Sequence, residues 1–114
     1  MKNIYPNIRR AKNYLINDDV VAIPTETVYG LAANAYSNKA VKKIFSFKNR
    51  PLKNPLIVHY YKLEDLKRDC ILNSNFYKLY KKFCPGPLTF VLYKKNNSKI
   101  SRFVNNNKKT LAVR

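Results

Sequence analysis

Ile8, Ala11, Leu15 and, less regularly, Ile16 recur at helical spacing and predict a helix from about Pro6 to Asn17. Asp18-Asp19 then reads as a turn that delivers the chain into Val20-Val21-Ala22-Ile23, an apolar run with the composition of a buried strand. Pro24 ends regular pairing there, because proline has no N–H for a ladder. Leu31 to Ala35 is predicted to extend that strand or pair with it. Ser37-Asn38 is an N-cap signal, and Val41, Ile44 and Phe45 set a helical face behind it. Pro55 to Tyr61 reads as a strand whose run Leu56-Ile57-Val58 suggests burial on both faces. Leu63 to Asp69 is a short helix, and Asn73-Ser74-Asn75 caps another that carries Phe76, Leu79, Tyr80 and Phe83 at helical spacing. That aromatic stripe is read as core, with no ligand role. Cys84-Pro85-Gly86-Pro87 breaks the helix. Leu88 to Tyr93 is a strand, Lys94 to Asn97 a polar turn, and Ser98 is placed as the cap of a short helix through Ile100, Phe103 and Val104. Asn105 to Lys109 is a loop, and a last strand starts at Thr110.

Two places break this pattern in ways that suggest chemistry. After Pro24 come Thr25, Thr27 and Tyr29, which share one face if the chain stays extended. Gly30 follows, where the backbone can approach something closely. A strand running into a row of hydroxyls is either the floor of a polar pocket or an ordinary strand edge, and pattern alone leaves both open. The second break is Lys48, which falls where the helical face of Val41 calls for an apolar residue. Arg50 precedes Pro51 and is pushed out of the helical region, so the helix is expected to end near Asn49 with Arg50 extended and free to project. Lys48 and Arg50 then either converge on one anion or stand as two solvated cations at a helix end. His59, the one histidine, closes an apolar strand at its C-terminal end, the position where open α/β sheets bind ligands.

Composition narrows the class. A chain of 114 residues with 46% hydrophobic content is one domain with a modest core. No apolar run approaches a membrane span, and the start M-K-N-I-Y-P lacks a signal-peptide core, which points to the cytoplasm and no membrane. One histidine and two isolated cysteines, Cys70 and Cys84, make a zinc site a poor reading and reduced thiols the natural one. The net charge of +17 suggests a phosphate-bearing partner. Lysine dominates it, however, alongside Asn, Tyr and Ile, all with A/T-rich codons, so about half the excess is assigned to compositional drift rather than recognition. The stretch after Asp69 carries ten basic residues and no acid and is the better nucleic-acid face.

Five motifs in order, P-T-E-T-V-Y-G-L (24–31), K-N-R-P (48–51), N-P-L-I-V-H (54–59), P-G-P-L-T (85–89) and L-A-V-R (111–114), resemble the YrdC-like domain, the threonylcarbamoyl-AMP synthase family. The resemblance implies an α/β fold: a twisted open mixed sheet with helices packed on it. It also implies a nucleotidyltransferase that joins L-threonine, bicarbonate and ATP into threonylcarbamoyl-AMP and pyrophosphate, for the modification of tRNA adenosine 37. Mg²⁺ is expected with ATP, and a threonylcarbamoyl-transfer machinery downstream. Carried over by motif, Thr27, His59 and Arg114 surround L-threonine, while Lys48, Arg50, Asn54 and Thr110 hold the nucleotide; Thr25 and Tyr29 are weaker candidates. No general base stands out, because Glu26 falls on the strand face opposite Thr25 and Thr27 and is read as a structural acceptor. The family's Ser-x-Asn motif has no counterpart, so the chain is read as the N-terminal part of a single domain, ending after Arg114, and little or no synthase activity is expected of these 114 residues alone. The alternatives are a non-enzymatic domain of the same fold that binds tRNA or double-stranded RNA, and the carbamoyl-transfer domain of larger hydrogenase-maturation proteins.

Overall fold

A computed structural model describes residues 5–114, so the reading of the extreme N-terminus lies partly outside the described residues. Helix α1 spans Tyr5–Ile16, strands β1 (Val21–Ile23) and β2 (Gly30–Ala32) follow, and α2 covers Asn38–Phe47. Then come β3 (Ile57–Val58), α3 (Leu63–Asp69), α4 (Ser74–Phe83), β4 (Phe90–Tyr93) and β5 (Thr110–Val113). The architecture is mixed α/β, as the alternation of elements implies. No helix among the described residues is long and apolar enough to cross a membrane.

The main sheet has the order β3-β5-β4, with β3 parallel and β4 antiparallel to the central strand. Its register sets Phe90 opposite Val113 and Leu92 opposite Leu111, while Val58 pairs with Val113. Side chains alternate across a strand, so these residues share one face, and all are buried. Val41 and Phe45 from α2, Leu66 from α3, Phe76 from α4, and Ile100 and Val104 from the loop before β5 close over that face in one core cluster. Each such side chain contributes roughly 1.5–3 kcal/mol by leaving water. The other face is open: Ile57 is 43%, Val91 69% and Tyr93 64% exposed. Burial of β3 on both faces is therefore corrected, because helices cover one side of the sheet only.

The strand at Val21–Ile23 is also less buried than its composition suggests. It pairs with β2 in a separate antiparallel ribbon, with Val21 opposite Ala32 and Ile23 opposite Gly30. Ala22 is exposed and its neighbours half-buried, since a two-stranded ribbon has too little surface packed on it. Helix α1 lies against β1, yet Ile8 and Ile16 stay more than half exposed. Local signals fare better: the Ser37 hydroxyl accepts from the Ala40 N–H and Asn73 Oδ1 from the Phe76 N–H, both at the expected helix starts.

The helix expected after Ser98 is a series of turns. Ser98 sends its hydroxyl to Asp69 rather than serving only as a cap, and Asn106 and Asn107 both take positive φ. Asp69 is the reason. Buried to 2% exposure at the end of α3, its carboxylate accepts from Tyr36 (2.6 Å), Tyr60 (2.7 Å) and Ser98 (2.7 Å), and its carbonyl from the Lys95 N–H (2.7 Å). One side chain thus ties four segments together.

A cleft at the ends of two parallel strands

β3 and β5 run in parallel, so their C-terminal ends deliver His59 and Arg114 to the same edge of the sheet. The ladder continues past both: the Arg114 N–H donates to Val58 (2.9 Å) and the Tyr60 N–H to the Arg114 carbonyl (3.0 Å). His59 is therefore held between two bonds to Arg114. Beside them lies a cleft of about 440 Å³. Its polar lining is Glu26, His59, Lys62 and Arg114; its apolar lining includes Phe76 and Tyr80 of α4, and the segment from Cys84 to Gly86 forms part of the wall. A lining that mixes charged and apolar groups suits a small amphiphilic ligand.

Arg114 is fixed on two sides. Thr89 Oγ1 accepts from Nε at 2.9 Å and from Nη2 at 2.7 Å, and Glu26 Oε1 accepts from Nη1 at 2.9 Å. The Arg114 side chain is 16% exposed. A hydrogen bond from its own backbone holds the Glu26 carboxyl below its usual range; partial burial opposes this, and Arg114 and His59 reinforce it. Gly86 is required in the wall, because a Cβ there would stand 2.5 Å from the Phe83 carbonyl oxygen.

The hydroxyl row does not form as an extended face. Residues 26–28 bend, and the Thr25 hydroxyl is used locally, accepting from the N–H groups of Thr27 (3.3 Å) and Val28 (3.2 Å) and donating to the Val28 carbonyl. Such a turn breaks the period of two, so Glu26, expected on the opposite side from the site, lines the cleft instead. Thr27 is exposed, its hydroxyl 3.3 Å from that of Thr25, and Tyr29 is 77% exposed. Of the residues expected around a threonine, the cleft brings together His59 and Arg114.

The nucleotide-side candidates lie elsewhere. Lys48 caps α2 and is exposed, and Asn49 has φ 48. Arg50 is not free to project: its Nε donates to the Asn54 carbonyl (3.1 Å) and its Nη2 to the Pro55 carbonyl (2.8 Å). This brace closes the loop 51–55 and leaves both Nη1 protons unused. Asn54 joins through its backbone; its N–H donates to Pro51. Thr110 opens β5, at the other end of that strand from Arg114. Among the described residues no cluster of three His, Cys, Asp or Glu side chains could hold a metal ion.

Glu26 and Thr89 were not expected at the site, and the reading of the aromatic stripe as core is corrected: Leu79 and Phe83 are exposed, while Phe76 and Tyr80 line the cleft. Glu26 carried one signal, as the sole acid between Asp19 and Glu64. Thr89 carried another, as the hydroxyl that ends the P-G-P-L-T motif.

Comparison with known proteins bears on this cleft. The threonylcarbamoyl-AMP synthase of Pyrococcus abyssi is 44% identical over 110 residues, covering 94% of this chain and 31% of that protein. The Bacillus subtilis threonylcarbamoyl-AMP synthase is 49% identical over 90 residues, covering 76% of this chain and 25% of that one. A crystal structure of P. abyssi Sua5 complexed with L-threonine superposes with a TM-score of 0.89. Escherichia coli YciO, 21% identical with a TM-score of 0.80, shares the fold. The chain spans between a quarter and a third of the length of the two synthases. A family model for Sua5, YciO and YrdC, described as telomere recombination, matches residues 13–114, and the chain belongs to that family.

Proposed function

We propose that this chain is the threonine-binding part of an L-threonylcarbamoyladenylate synthase. The observation that carries the reading is Arg114, pinned beside His59 in a cleft at the ends of parallel strands, in a chain that superposes on a relative solved with L-threonine. In this role the Arg114 guanidinium pairs with the threonine carboxylate through its remaining N–H groups. His59 and Thr27 serve the hydroxyl end, and the apolar wall takes the methyl group. Thr25 contributes by holding the turn that presents Thr27 and Glu26, and Tyr29 flanks it.

ATP is held from the α2–β3 loop. Lys48 and the free Nη1 of Arg50 neutralise phosphate charge, with Asn54 and Thr110 as polar contacts. The described residues offer no cage of carboxylates, so Mg²⁺ enters with ATP, coordinated by phosphate oxygens and water. L-threonine, bicarbonate and ATP become threonylcarbamoyl-AMP, pyrophosphate and water. A carboxylate oxygen of the threonine carbamate attacks the α-phosphorus, and the bond from that phosphorus to the α,β-bridging oxygen breaks, releasing pyrophosphate. Most of the rate comes from positioning, since the cleft holds no base besides a tightly engaged Glu26 and His59. The product then passes, in the cytoplasm, to a transfer machinery acting on tRNA adenosine 37. The basic residues after Asp69 give tRNA or double-stranded RNA a weak electrostatic contact that high salt removes.

Calorimetric titration with L-threonine, followed by threonine- and bicarbonate-dependent pyrophosphate release from ATP, tests the reading. Saturable binding that is lost in Arg114→Ala is expected. Absence of threonine binding, together with salt-sensitive RNA binding, would favour the non-enzymatic RNA-binding alternative.

A further inference from the structure

We infer that Thr89 and Glu26 are positioning residues that turn Arg114 into a carboxylate-selective anchor; the inference rests on the reading of the cleft as a threonine site. A guanidinium carries five N–H donors in a fixed plane. Thr89 Oγ1 bridges two of them, on Nε and Nη2 (2.9 and 2.7 Å), and so closes one edge of the fork. Glu26 Oε1 takes a third, on Nη1, at 2.9 Å. Two donors remain, one on each Nη. That count is what a bidentate acceptor uses, and a carboxylate is the acceptor of matching geometry.

The two holds differ in kind. Thr89 is neutral, so it orients the guanidinium without cancelling its charge. It sits directly before β4, whose Phe90 is opposite Val113, the residue preceding Arg114. Donor and acceptor are therefore carried by adjacent, paired strands, and their spacing is set by the ladder. Glu26 comes from the β1–β2 connection, a different part of the chain, and fixes the plane from the other terminal nitrogen. With both in place, the long arginine side chain loses its rotamer freedom on folding rather than on binding.

The test uses two ligands, L-threonine and L-threoninamide, in which the carboxylate is replaced by a neutral amide. The readout is the ratio of their dissociation constants by calorimetry. The unaltered chain is expected to prefer L-threonine at least tenfold. Thr89→Val keeps the volume and removes the acceptor, and should cut that preference at least fivefold. Thr89→Ser restores the hydroxyl and should return it to within twofold of the original. Removing Glu26 also removes a negative charge beside the ligand carboxylate, so two uncharged variants are compared: Glu26→Ala, which lacks the acceptor for Nη1, should show a preference at least twofold below that of Glu26→Gln, which keeps one. Thermal melts show that each variant is folded. If affinity for both ligands falls together, with the ratio unchanged in Thr89→Val and equal in Glu26→Ala and Glu26→Gln, the two residues are structural only and the inference is overturned. If the unaltered chain binds neither ligand, the threonine reading itself falls, and this inference with it.

Discussion

Tyr60 donates its phenol to the Asp69 carboxylate at 2.7 Å, joining the residue that follows His59 to the buried end of α3. That bond holds the strand end at a residue that itself lines the cleft. Tyr36 shares the same oxygen and Ser98 the other, so the position of His59 depends on a carboxylate that meets the cleft only through Tyr60.

Removing the hub should be costly. Asp69→Ala leaves three hydroxyls without their acceptor and loses hydrogen bonds to a charged group whose own side chain is buried. We expect a loss of roughly 2–3 kcal/mol. At about 4 °C per kcal/mol for a domain of this size, the melting temperature falls by about 10 °C. A melt within two degrees of the unaltered chain would show that the network is not a keystone.

The same hub predicts alkaline sensitivity. Burial, followed by the bond to Asp69, raises the Tyr36 phenol from 10.0 to about 12, and the same causes raise Tyr60. A phenol that holds its proton more tightly when folded stabilises fully below pH 10, and the contribution is lost as pH rises through about 12. Cys70, pushed up to about 11 by burial, adds in the same sense from a lower starting point. Urea midpoints should therefore fall between pH 10 and 12, and the fall should be shallower in Tyr36→Phe. An identical slope in that variant would remove Tyr36 from the account.

What could be read from the sequence follows from how local each signal is. The caps at Ser37 and Asn73 and the faces of Val41, Ile44 and Phe76 rest on spacing within one helix, and they appear as expected. His59 at a strand end was legible because Leu56-Ile57-Val58 marks the strand before it. The exposure of Ala22 and Ile57 was not, since it depends on what covers each sheet face. An extended course for residues 25–29 would put Glu26 on the side away from the cleft. The Thr25 hydroxyl folds that stretch into a turn instead. Asp69 gave no warning: an acid at a helix end reads as solvated, and its three partners lie 9, 29 and 33 residues away.

For the nucleotide side, Arg50→Ala should weaken ATP binding at least tenfold, about 1.4 kcal/mol or more. The structure adds a distinction. Arg50 also braces the carbonyls of Asn54 and Pro55, so charge alone should not suffice. Arg50→Lys, which keeps the charge but cannot donate in a planar fork, should recover only a small part of the loss. Lys81→Ala, on an exposed residue of α4, should leave ATP affinity within twofold. Comparable losses in Lys81→Ala and Arg50→Ala, measured by titration, would reduce the clamp to general surface charge.

Gly86 offers the sharpest link between wall and cleft. An alanine Cβ at this position would lie 2.5 Å from the Phe83 carbonyl oxygen, a backbone atom that no rotamer change can move. The chain must shift, and it shifts in the segment from Cys84 to Gly86 that lines the cleft together with Arg114. Gly86→Ala should therefore cost roughly 1–3 kcal/mol of stability through overpacking. It should also weaken L-threonine binding, while ATP affinity, governed by the α2–β3 loop, changes less than twofold. Ser74→Ala, at the exposed start of the same helix, provides the comparison, with little effect on any of the three. The decisive measurement is paired titration of both ligands with the folded Gly86→Ala chain. If threonine affinity is retained while stability drops, the wall is a structural turn and the apolar side of the cleft does not contact the ligand.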